Sequence, residues 1–225
     1  MNGWRAIVAA IATWLLGLGD GRGAEKLLVA RGAGVVSLQC GEVRLDELLK
    51  RQVNGVSVGE WKVAPDCVAR LEMVRVRRPE GISDVELSVL RLTLTNRSTE
   101  PCVVPVIVRL RPSSLTGPAL SALAFERHAF FIEGQPILVA DTPARGAILA
   151  ESAFAPRPLT PESVAHVTSP TGECRGEMVF DLTLAPGQTQ VLGFLAARPV
   201  ADSPEVAVTF DFLRSLRIDE LFPVP

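Results

Sequence analysis

The sequence has no tyrosine, only three lysines (Lys26, Lys50, Lys62) and two histidines (His128, His166), and aromatic residues make up 5% of it. Two histidines and no CxxC spacing argue against a structural zinc site, which needs four thiolate or imidazole ligands. A formal net charge of −2 leaves no polybasic footprint for nucleic acid or anionic lipid. GxSxG, HExxH, a P-loop, a helix-opening GxGxxG and calcium-binding loops are all missing. The scarcity of lysine is offset by arginine, which reads first as coding bias and second as recognition chemistry, since a guanidinium can grip carboxylate or phosphate bidentately. The one tight basic cluster, Arg75-Val76-Arg77-Arg78, is expected at the solvated end or edge of a strand.

What is present begins with the N-terminus. Met1 to Arg5 is short and basic, Ala6 to Leu18 carries no charge, and small residues follow around Gly19 to Ala24. That is the order of a secretory signal peptide, with cleavage after Gly19 or Ala24. The uncharged run falls short of the about 20 residues that span a bilayer. A retained N-terminal anchor is the alternative, and the only membrane contact the sequence suggests. Residues 1–24 are therefore read as the signal, 25–212 as one domain with 85–197 its clearest part, and 213–225 as a short helix and tail.

Export changes the meaning of Cys40, Cys67, Cys102 and Cys174. In an oxidising compartment an even number of cysteines suggests two disulfides, with three possible connectivities. The favoured pairing is Cys40–Cys67 and Cys102–Cys174; the alternative is four free thiols serving as small apolar residues.

With 225 residues and 48% apolar content the chain can bury a large core. Its pattern is that of an all-β protein, an antiparallel sandwich built from successive hairpins. Val85 to Asn96 alternates with period 2, but the apolar phase moves from Val85, Leu87, Val89 to Leu90, Leu92, Leu94, which predicts a β-bulge. Asn96 to Pro101 supplies a turn. Val104, Val106, Val108 and Leu110 then form the inner face of a returning strand, with Arg109 and Arg111 outward. A second hairpin is expected over 130–140, turning at Glu133-Gly134-Gln135. A third joins Glu177–Leu184 to Thr189–Ala196 through Ala185-Pro186-Gly187-Gln188. Short strands are expected at 27–30, 35–40, 53–63, 67–77, 148–152 and 205–212. Short helices are expected near 46–51 and 213–221. The proline-rich stretch 155–171 reads as an irregular crossing loop, a place to look for partner contacts.

TLTNRSTEPCVVPVIVRLRP, FFIEGQPILVADTPARGAILAES and GEMVFDLTLAPGQTQVLGFLA together resemble the non-catalytic supersandwich-like domain that precedes the (α/α)-barrel in bacterial proteins related to glycogen-debranching enzymes and similar glycosidases. The resemblance spans roughly residues 85–197. It implies an accessory sandwich; in that family the catalytic carboxylates lie in the barrel, for which this chain has no room.

No catalytic, cofactor-binding or metal-binding residue is therefore assigned, and no cofactor is expected. Glu133, Asp141, Glu151 and Asp181 are the acids available for glycoside hydrolysis, which needs two carboxylates about 5 to 10 Å apart; solvation of turns and outer faces is their expected role. Trp61 is expected to plug a core edge, with a sugar-stacking platform as the alternative and the one candidate ligand contact. Asn96-Arg97-Ser98 matches a glycosylation sequon and is read as incidental. The functional expectation is an exported, Ig-like, non-catalytic binding or structural module, periplasmic or secreted, with a glycan or another exported protein as partner. The alternative is an accessory or truncated part of a carbohydrate-active enzyme.

Overall fold

A computed structural model describes residues 28–30, 34–45, 51–53, 55–77, 85–112, 122–126, 128–132, 135–151, 157–160, 162–199 and 210–222. The predicted signal peptide and the expected helical turn at 46–50 lie outside these residues. Among the described residues the chain is all-β, with two antiparallel sheets facing one another.

The first sheet contains β1 (Leu28–Ala30), β2 (Gly34–Cys40), β3 (Val43–Arg44), β8 (Cys102–Pro112), β12 (Gly146–Glu151), β13 (Arg157–Leu159) and β15 (Cys174–Leu184). Its order is β1-β2-β8-β15-β12-β13, with β3 folded back on β2. The second contains β4 (Arg51–Val53), β5 (Val56–Ala64), β6 (Cys67–Arg77), β7 (Val85–Asn96), β9 (Ala122–Glu126), β10 (Ala129–Ile132), β11 (Gln135–Ala140), β14 (Ala165–Thr168) and β16 (Thr189–Pro199). Its order is β14-β9-β10-β11-β16-β7-β6-β5-β4.

The two inner faces interlock in one core. Val36, Leu38, Val106, Val108, Leu110, Met178 and Phe180 meet Leu71, Leu90, Leu92, Leu94, Phe130 and Phe194. Phe180 stacks edge-on against Phe194 across the sheets, with ring centroids 5.7 Å apart. Gly176 lets β15 approach Phe130 so closely that a Cβ there would lie 2.6 Å from the ring.

Three expectations change. First, β7 has no bulge: its pairing with β6 and β16 runs without a register shift. The apparent slip arises because β7 is buried on both faces. Leu90, Leu92 and Leu94 point into the main core, whereas Leu87 and Val89 point outward beneath the C-terminal segment. That segment is α1 (Phe210–Ser215) followed by a 3₁₀ turn (Ile218–Leu221). Leu213, Ile218 and Phe222 close a second, smaller core over Val56, Leu87, Val89, Val139 and Leu195. The C-terminal expectation is thus one continuous helix replaced by a helix and a turn, and residues 210–212, expected in a strand, are helical.

Second, the predicted hairpins 85–111 and 177–196 are arches. β7 lies in the second sheet and β8 in the first; β15 and β16 are divided in the same way. Period-2 alternation reports one buried face but cannot say whether the next strand bonds beside it or crosses to the opposite sheet. The hairpin at 129–140 does form, as β10 and β11. Third, the stretch 155–171 contains two short edge strands, β13 and β14.

The two arches are tied by Asn96, which is fully buried. Its Nδ2 donates to the carbonyls of Glu100 (2.8 Å), Leu184 (3.1 Å) and Ala185 (3.2 Å). Its Oδ1 accepts from the Ser98 N–H and hydroxyl, and its own N–H donates to the Gln188 carbonyl. The sequon asparagine is thereby committed to the fold, and its amide has no exposed face to modify.

Candidate functional site

Antiparallel register assembles a charged group on the outer face of the first sheet. On β8 the even positions Val104 to Leu110 point inward, so Arg109 and Arg111 face outward. Ser37 and Gln39 of β2 and Arg175 and Glu177 of β15 face the same way for the same reason. Ser37, Arg109, Glu177 and Ile148 form one cross-strand row. Arg44 of β3 stands opposite Gln39.

The floor of this group is Arg109 and Glu177, joined through Nε and Oε1 at 2.7 Å, with side chains only 7% and 3% exposed. Arg109 also donates through Nη1 to the Gln39 side-chain oxygen, and Gln39 in turn donates to the Gly41 carbonyl at 2.7 Å. Arg109 Nη2 and Glu177 Oε2 are buried and make no hydrogen bond. Desolved polar atoms of this kind are costly without a partner. Arg44, exposed, and Arg111 and Arg175, half-buried, form the rim. Burial first, then the guanidinium of Arg109, then Arg44 and Arg175 hold Arg111 below the ordinary arginine range, against the opposing pull of Glu177. The guanidiniums of Arg44, Arg109, Arg111 and Arg175 thus crowd one face. A carboxylate, sulfate or phosphate would relieve that crowding, because planar guanidiniums match such anions with paired, charge-assisted hydrogen bonds.

The residues singled out from the sequence fall elsewhere. Trp61 is 8% exposed and packs in the main core, its ring folded over Gly59. It presents no open face on which a sugar could stack, and core packing is its observed role. The four cysteines are free thiols. The pairing Cys102–Cys174 is corrected by register: Leu184 lies opposite Cys102, and Cys174 is at the far end of β15. That separates them by roughly 33 Å at about 3.3 Å per strand residue, whereas a disulfide needs Cα atoms within about 7 Å. Cys40 and Cys67 are buried and not bonded to each other.

Among the described acids, Glu151 and Asp181 lie far apart along one strand pair. Glu151 sits opposite Cys174, whereas Asp181 lies roughly 23 Å further along β15, ion-paired with Arg145. Asp141 follows β11 of the other sheet, where its N–H donates to the Gly193 carbonyl; Glu133 lies outside the described residues. His128 is buried at a turn with a positive φ of 58°, and burial, then Arg214, push its imidazole below the usual histidine range. His166 is exposed on edge strand β14. Among the described residues no group of three or more His, Cys, Asp or Glu could hold a metal ion, and no helix is long and apolar enough to cross a membrane.

Sequence alternation placed Arg109 and Arg111 outward. It gave no sign of Gln39, Arg44, Arg175 or Glu177, because strands distant in the chain meet only through the sheet order. No family model matches the chain, and no curated protein is significantly similar to it.

Proposed function

We propose that the chain is an exported, non-catalytic β-sandwich that binds a carboxylate-bearing glycan at the arginine-rim face of its first sheet. The observation that carries this reading is the grouping of Arg44, Arg111 and Arg175 around a buried Arg109 whose Nη2 makes no hydrogen bond. The signal-like N-terminus supports export, and the resemblance to accessory sandwiches of carbohydrate-active proteins supports a glycan over other anions. The role is recognition: arginine holds a charge in place and moves no proton at neutral pH.

The test compares acidic and neutral oligosaccharides binding to the full chain by calorimetry, with Arg44→Gln and Arg111→Gln as variants. Both positions lie on the rim, so folding should survive, as circular dichroism would check. Binding of uronate-containing oligosaccharides, weakened about tenfold by either substitution and by added salt, is the expected result. Equal affinity for neutral glycans, or binding indifferent to both substitutions, would refute it.

A further inference from the structure

Three of the four cysteines gather at the arch end of the sandwich. Cys67 opens β6 in the second sheet, Cys102 opens β8 in the first, and Cys40 closes β2. Register explains the gathering. Cys67 lies opposite Asn96 and Cys102 opposite Leu184, and the Asn96 side chain hydrogen-bonds to the Leu184 carbonyl. The arch between β7 and β8 then brings the two cysteine-bearing strand ends together from opposite sheets, held also by the Arg97 N–H donating to the Asp66 carbonyl at 2.7 Å. The Cys40, Cys67 and Cys102 side chains all face the main core at this end.

We propose that Cys67 and Cys102 are an oxidisable pair that closes into a disulfide joining the two sheets, a connectivity different from both pairings expected from the sequence. All four thiols are free in the structure. Closure therefore requires the two sulfurs to be drawn together to bonding distance, about 2.05 Å. Cys102 can move to meet Cys67, since it is the first residue of its strand and half-exposed, whereas Cys67 and Cys40 are fully buried.

Exposure also sets the order of events. An external disulfide reaches Cys102 first. The Cys102 thiolate attacks one of its sulfurs, forms a mixed disulfide and releases one thiolate. The Cys67 thiolate then attacks the Cys102 sulfur, forms the inter-sheet bond and expels the second thiolate. The two cysteines lose two protons and two electrons, and the external disulfide is reduced to two thiols. Burial pushes the Cys67 thiol up to about 11 and Cys40 higher still, so the second step is slow and the bond, once formed, is shielded from reducing thiolates.

The experiment equilibrates the full chain with oxidised glutathione, blocks remaining thiols after unfolding, and maps the peptides by mass spectrometry without reduction. A single Cys67–Cys102 crosslink is expected, with Cys40 and Cys174 blocked as free thiols. Cys102→Ser should abolish the crosslink and Cys174→Ser should leave it intact. Oxidation should raise Tm by on the order of 10 °C, because the bond closes a long loop in the unfolded chain. All four thiols recovered free, a glutathione adduct on Cys102 that never resolves, or a dominant Cys40–Cys67 crosslink would each overturn the assignment. None of these outcomes bears on glycan binding at the opposite strand rows, so the two proposals fail separately.

Discussion

Replacing Asn96 tests the claim that one side chain fastens both arches. Asn96→Ala removes the amide that donates to the Glu100, Leu184 and Ala185 carbonyls and the oxygen that accepts from Ser98. The bonds to Glu100 and Ser98 lie near the surface, where water can replace the lost partner, and each is worth about 0.5–1 kcal/mol net. The bond to Leu184 is buried, and stranding that carbonyl costs about 1–3 kcal/mol. Together these place the loss at about 2.5–6 kcal/mol. Asn96→Asp probes direction as well as size. It keeps the shape and the Ser98 bonds but turns the donor into an oxygen facing three carbonyl oxygens. Its carboxyl should therefore be raised above its unfolded value, and protonation in the folded state restores one donor. A raised folded pKa means stability that is present at low pH and lost as pH rises. The deficit of Asn96→Asp relative to the natural chain should thus be largest near neutrality, shrink as pH falls toward about 4 and stay smallest below it. Urea denaturation with a shared m-value reads both numbers. An Asn96→Ala loss below about 0.5 kcal/mol, or an Asn96→Asp deficit that grows on acidification, would refute the latch.

Two further outcomes follow from particular contacts. Glu72, only 11% exposed, is pulled up by burial, but hydrogen bonds from Arg91 and Arg70 outweigh this and hold it below the ordinary carboxylate range. A depressed folded pKa gives stability that is present above the unfolded value of about 4.3 and lost as pH falls, so Glu72→Gln should cost about 1 kcal/mol at pH 7 and progressively less below pH 4, read by urea melts at both values. Gly59→Ala would place a Cβ 2.2 Å from the Trp61 ring, which is wedged in the core, and should cost about 1–3 kcal/mol with a changed tryptophan emission; an unshifted urea midpoint would contradict the packing.

The pattern of β6 shows how far local reading reaches. Ala69, Leu71 and Met73 face the main core as alternation implies. Val74 and Val76 fill the second core instead of lying at a solvated edge, because α1 and the 3₁₀ turn cover that outer face. Arg75 and Arg77 do mark the end of the strand, with Arg75 exposed. The same cover explains why β7 looked bulged: a strand buried on both faces loses the single-phase signature on which a bulge is inferred. Cys174 was misassigned for a related reason, since spacing along the chain says nothing about which strand ends share an end of the sandwich.

The class of the fold, most strand positions and the inward faces of β6, β8 and β15 are legible in the chain itself, whereas Trp61 needed the packed core to separate plug from platform. These follow from period-2 burial and turn chemistry, which act between near neighbours. The tertiary structure alone decided which strands bond, and hence that the two long β-turn-β units are arches. It also decided that Asn96 fastens them, that Cys67 and Cys102 lie at the same end of the sandwich, and that arginines from three strands gather near Glu177. Those outcomes depend on sheet order and register, set by the packing of the whole core, and no local segment carries that information.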